Sequence, residues 1–147
     1  MQRDVLIVGF GLAGWALAEE LKRQGISFIA FDPLKNSSSK IATGIYNPVV
    51  LKRFTAVSHA QELMAFSIPF YANTANGKFQ HPMSIYRVFA KAAEQNNWME
   101  ALDKPVLSPY MTSDIQNHDI NNIAAPHGFG EVQHTGRIDI TGLLRYA

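Results

Sequence analysis

Apolar residues gather near the start of the chain in two short runs, Val5 to Val8 and Phe28 to Phe31. Each has the length and composition of a buried parallel strand. Between them, residues 12–23 carry helical periodicity, with Leu12, Trp15, Ala16, Ala18 and Leu21 on one face and Glu19, Glu20, Lys22 and Arg23 largely toward water. Gly25 follows as a stop signal. The prediction is β-α-β. A polar loop, Pro33 to Lys40, comes next, with serines at 37, 38 and 39, and apolar character returns over 41–50. Gly44 and Pro48 argue against a regular central strand there. A helix is expected from about Ser58 to Phe66, closed off ahead of Pro69.

Beyond that point the pattern changes. Ile85 to Phe89 alternates like a strand with one wet face. Residues 90–102 read as a helix with Trp98 and Met99 in the core, ended by Pro105, and Val106 to Met111 reads as a short strand. Asp114 to Ala125 is polar and loop-like. Gly130 to His134 and Gly136 to Ile140 form either a hairpin or one bent strand, after which Thr141 reads as the N-cap of a last helical turn. The implied fold class is α/β: a Rossmann-like βαβ unit interrupted by part of an α+β domain with antiparallel strands. The expected divisions are 1–75 for the first domain, 76–135 for the second, and 136–147 for the start of a return to the first. A chain that stops one turn into a helix is expected to be the front part of a longer protein.

The motif Gly9-x-Gly11-x-x-Gly14 sits where the first strand turns into the first helix, and Asp32 ends the second strand 18 residues past Gly14. This is the setting of a dinucleotide-binding fingerprint. Gly9 suits a sharp turn, Gly11 lets a pyrophosphate approach the backbone, and Gly14 lets the helix pack on the sheet. The helix start offers free N–H groups and a positive dipole end to phosphate, and Asp32 can accept hydrogen bonds from ribose hydroxyls. Two other readings compete: a glycine-rich turn without a ligand, and a signal peptide built on Arg3, the apolar run and Ala16-Leu17-Ala18. Three glycines would weaken a signal's helical core, and the second strand and Asp32 continue the unit without a break.

Bulk composition narrows the partners. The chain has 147 residues, 47% hydrophobic and 17% charged, with a net charge of +1. That size supports a core, and the charge favours neither nucleic acid nor an anionic membrane. With no cysteine, disulfides, thiolate zinc sites and cysteine nucleophiles drop out; a reducing, cytoplasmic setting is expected. No apolar run approaches the roughly 18 residues of a membrane span. His118, His127 and His134 are scattered without metal-ligand spacing, so no metal site is assigned.

Residues 32–48, and above all Ala42-Thr43-Gly44-Ile45-Tyr46-Asn47-Pro48, resemble the second flavin-binding segment of the D-amino-acid oxidase and glycine oxidase family. Members have an acid, a hydroxyl-rich loop, then small, small, Gly, aliphatic, aromatic or aliphatic, amide, Pro. Ile85 to Phe89 and Gly136 to Ile140 are similar to that family's substrate-domain strand and its return to the cofactor domain. The resemblance implies FAD as cofactor. It assigns Gly9, Phe10, Gly11, Leu12 and Ala13, with Gly14 behind them, to the pyrophosphate turn and Asp32 to the adenosine ribose. Ser38 and Ser39 would serve the phosphates or ribityl chain, and Thr43, Gly44 and Ile45 the ribityl and flavin ring. Pro33 stands where many relatives place a basic residue over the adenine end; Lys35 or Lys40 is at hand to substitute.

The activity implied is oxidation of a small-molecule amine or amino acid by hydride transfer to flavin. The family's substrate-clamping residues belong to a later half, so that missing C-terminal half is an expected partner and no catalytic residue is assigned. Two alternatives stand beside this: an NAD(P)-dependent Rossmann dehydrogenase, since an acid ending the second strand serves NAD as well, and an inactive N-terminal fragment that needs its other half. Tyr46 and Tyr86 are candidates for a substrate pocket or for packing, and Lys52 and Arg53 for an anion contact or for solvent.

Overall fold

The computed structural model describes residues 3–33, 38–118 and 122–146. Lys35, Ser37 and the middle of the polar loop at 119–121 lie outside the described residues. The chain forms two compact units, one of residues 1–44 and 138–147, the other of residues 45–137. The chain therefore leaves the first unit at Gly44, well before residue 75, and re-enters it at Ile138.

In the first unit, β1 (Val5–Val8), α1 (Leu12–Arg23) and β2 (Phe28–Phe31) make the β-α-β element. The strands pair in parallel, Val5 opposite Phe28 and Val8 opposite Phe31. Trp15, Ala18 and Leu21 of α1 are buried at three-residue spacing, and Ala18 and Leu21 meet Ile7 in the core. The helix stops by a Schellman pair: Ile26 N–H donates to the Leu21 carbonyl at 2.9 Å and Gly25 N–H to that of Lys22 at 3.1 Å. At the open end of the sheet, Asp4 accepts hydrogen bonds from the Ser27 hydroxyl and N–H.

Two expectations change here. The strands are covered on one face only: Leu6, Val8, Ile29 and Phe31 are 58%, 82%, 44% and 58% exposed. The β-α-β element supplies only α1 to the sheet, on one face, and leaves the other bare. The serine loop also contains a turn of helix, α2 (Ser38–Ile41), closed by Ala42 N–H on the Ser38 carbonyl at 2.9 Å.

The second unit is antiparallel. β4 (Val49–Val50) and β5 (Thr55–Ala56) form a small hairpin, and β7 (Ile85–Val88) pairs with β8 (Phe129–Val132). β3 (Ile45–Tyr46) and β6 (Gln80–Pro82) flank β9 (Gly136–Ile138) in a third sheet. β8 and β9 thus belong to different sheets and form neither a hairpin nor one bent strand; His134, at φ +57°, turns the chain between them. Phe54, Phe89, Trp98, Leu107 and Val132 are buried together, with Trp98 Nε1–H donating to the Thr112 carbonyl at 2.9 Å.

α3 (Ala60–Asn73) runs through Pro69. A proline frees the carbonyl four residues back; here that is Ala65, and both residues are exposed, so the freed carbonyl is not buried without a partner. α4 (Ala93–Leu102) buries Trp98 and Ala101, and leaves Met99 exposed. The segment 106–111 is a run of turns, not a strand: Pro105 and Pro109 remove two N–H donors, and only Met111 bridges to Val132. α5 (Ile140–Tyr146) is capped by Asp139, whose carboxylate accepts the Gly142 N–H at 3.0 Å. Thr141 lies inside the helix. Among the described residues no helix is long and apolar enough to cross a membrane.

Candidate functional site

The corner where β1 gives way to α1 collects most of the residues singled out from the sequence. Gly9 adopts φ +96°, a conformation an L side chain disfavours, and its N–H reaches the Phe31 carbonyl at 2.7 Å. The parallel ladder is thereby extended one step, and the chain then turns off the sheet. Gly14 is held so tightly that a Cβ there would collide with the Gly9 carbonyl and press on Ile7. Gly11 is different. A Cβ there would meet only the Ser39 side chain, 2.9 Å from its Oγ, so the face of the turn is otherwise open.

Asp32 follows β2 and points back at this turn. Its Oδ2 accepts the Phe10 N–H at 2.6 Å. Ser39, on α2, comes over the turn from the other side, and its Oγ accepts the Leu12 N–H at 3.1 Å. Two turn amides are therefore held by side chains, one by a carboxylate and one by a hydroxyl. The carboxylate retains lone pairs for sugar hydroxyls. The serine hydroxyl can both accept from the amide and donate to a phosphate oxygen. Ala13 is exposed on the same first turn; Ser38 starts α2 next to Ser39.

A cavity of about 460 Å³ opens beside this corner, lined by Phe10, Lys22, Phe28, Ala30, Asp32, Lys40 and Leu144. Phe28, Ala30 and Asp32 alternate along β2, so one strand face supplies two apolar walls and the carboxylate. Lys22 and Lys40 line the same cavity. Leu144 comes from α5, which packs against α1 and α2; nothing near the glycine motif in sequence announces it. An apolar slot with one carboxylate, two cations and a backbone cradle fits an adenosine diphosphate moiety.

Thr43, Gly44 and Ile45 are not drawn into this corner by any observed hydrogen bond. Gly44 adopts φ +75° and abuts the Ile138 carbonyl, while its own carbonyl accepts the Ile138 N–H at 2.9 Å. This crossing is where the chain leaves and re-enters the first unit. Thr43 is exposed, and Ile45 begins the second unit. Tyr46 packs on Gly136, and Tyr86 lies edge-on to Phe129 with ring centres 5.4 Å apart. Both act as packing residues here. His118 contacts the same Phe129 ring, and His134 the Tyr110 ring. A family model described as an FAD binding domain matches residues 4–143.

Proposed function

Since the chain belongs to the FAD binding domain family, and is thereby an FAD-binding, flavin-dependent oxidoreductase, we propose that it acts on an amine or amino acid within the D-amino-acid oxidase and glycine oxidase branch. When bound, FAD accepts a hydride from the carbon bearing the nitrogen, and the imine released hydrolyses in water. The chain's own residues bind and orient. Gly9, Phe10, Gly11, Leu12, Ala13 and Gly14 receive the pyrophosphate, Asp32 the ribose, Ser38 and Ser39 the phosphates or ribityl chain, and Thr43, Gly44 and Ile45 the flavin side. The first unit is the cofactor part and the second belongs to the substrate domain.

The observation that carries this reading is the Asp32 carboxylate, which meets the glycine turn at Phe10 and also lines the apolar cavity. The bare face of Leu6, Val8, Ile29 and Phe31 supports a further element: parallel strands are ordinarily covered on both faces, and additional chain would cover this one and bring the catalytic groups. An NAD(P)-dependent dehydrogenase is the second reading, because a carboxylate ending the second strand serves either ribose.

Purification tests both. A yellow protein that releases FAD on denaturation, and is bleached anaerobically by an amine or amino acid, supports the proposal. Colourless protein that binds NADH overturns it in favour of the dehydrogenase. Colourless protein that binds neither, but turns yellow when its C-terminal half is supplied, identifies a fragment of the oxidase.

A further inference from the structure

The second unit carries a cationic cleft that the flavin reading does not use. A concavity of about 340 Å³ lies between the β4–β5 turn and one side of α4. Lys52 and Arg53 enter from the turn, Lys91 from just before α4 and Lys104 from just after it. All four are exposed, and none takes part in a salt bridge among the described residues. Two carboxylates share the lining. Glu94 is already engaged, accepting from Arg87 at 3.0 Å and from the Ala90 N–H at 3.1 Å. Glu100 alone is left to oppose four cations.

The cleft is also held in shape. Phe54 ends the turn at φ +48° and is buried, edge-on to Trp98 at 5.5 Å and to Phe89 at 6.4 Å. That anchor fixes the end of the turn from which the two preceding cations project. On α4, Glu94, Asn97 and Glu100 repeat every three residues on the cleft side, while Trp98 and Ala101 are buried. Like charges gathered on a rigid frame repel one another, and an anion of more than one charge relieves that repulsion.

We propose that this cleft is a binding site for a small multivalent oxyanion, either a phosphate compound or a polycarboxylate. The concavity is the size of a small metabolite, and the Asn97 amide adds a hydrogen-bond donor that a purely electrostatic patch would not need.

Amide-resolved NMR titrations of the chain with inorganic pyrophosphate and with citrate test it. Saturable shifts are expected around residues 52–54 and 91–97. The affinity is expected to fall about tenfold when Arg53→Ala is combined with Lys104→Ala, and to be unchanged in Lys78→Ala, an exposed lysine outside both cavities. Tighter pyrophosphate binding assigns the site to phosphate compounds, tighter citrate binding to polycarboxylates. A second pair, Lys52→Gln with Lys91→Gln, carries the same expectation should the first fail to fold. Absence of saturation, equal loss in Lys78→Ala, shifts confined to residues 9–12, or binding of polyglutamate alone would each overturn the proposal.

Discussion

The Asp32 carboxylate and the Phe10 backbone N–H are joined by a 2.6 Å hydrogen bond that ties the end of β2 to the glycine turn. The acid is thus aimed before any sugar arrives. Replacing Asp32 with alanine removes a charged acceptor from both partners. A hydrogen bond to a charged group contributes about 1.5–3 kcal/mol, so FAD affinity is expected to drop by roughly tenfold to a hundredfold, read by flavin fluorescence titration. An Asp32→Ala protein that binds FAD as tightly as the parent would remove Asp32 from the site.

Gly11 and Gly14 should respond in opposite ways to alanine. At Gly14 the new methyl meets the Gly9 carbonyl, which is backbone and cannot step aside. Gly14→Ala is expected to destabilise the first unit by about 3 kcal/mol or more, seen as a lowered unfolding midpoint. At Gly11 the methyl meets only the Ser39 hydroxyl end, 2.9 Å away, which can rotate. Gly11→Ala is expected to keep the fold and lose flavin, so circular dichroism and flavin content should separate the two variants.

The second unit offers a matching test of packing. A methyl on Gly130 would lie 2.5 Å from the Trp98 indole, a ring that is fully buried and hydrogen-bonded to Thr112. Gly130→Ala is expected to cost about 1–3 kcal/mol, the usual range for overpacking a core, with a changed near-ultraviolet signal from displacement of Trp98. A neutral outcome would mean that the indole has room it does not show.

Acid should loosen the first unit through Asp4. Its carboxyl is held below the ordinary value of 3.8, first by the Ser27 hydroxyl and then by the Ser27 N–H. A lowered carboxyl favours the folded state above its unfolded value, and that advantage disappears as pH falls through the folded value. Near neutral pH, Asp4→Asn should therefore be less stable than the parent. The difference should shrink and vanish below pH 3.8, as measured by denaturant unfolding at several pH values. A gap that persists in strong acid would assign the effect to side-chain shape instead of charge.

Legibility in the sequence followed the range of the interactions involved. β1, α1 and β2 were readable to the residue because apolar period, the glycine stop and the Asp32 position are all local signals. The extension of α3 past Pro69 was not, since it depends on the exposure of Ala65 and Pro69. The strand expected over 106–111 failed for lack of donors at Pro105 and Pro109 combined with a real but isolated bridge at Met111. Thr141 and Asp139 are both good caps by residue type, and only the backbone course decides for Asp139. In the candidate site, Asp32 meets the Phe10 N–H and Ser39 the Leu12 N–H; the glycines and Asp32 are picked out by local spacing, whereas Ser39 was pointed to only by the resemblance. Leu144 could not be foreseen, because its place depends on how α5 packs on α1 and α2.

That last residue has a consequence for synthesis of the chain. The glycine turn and Asp32 leave the ribosome early, but the wall that Leu144 provides is made 112 residues after Asp32. A nascent polypeptide therefore carries a cavity without its last wall throughout translation of the intervening unit, until α5 docks on α1 and α2.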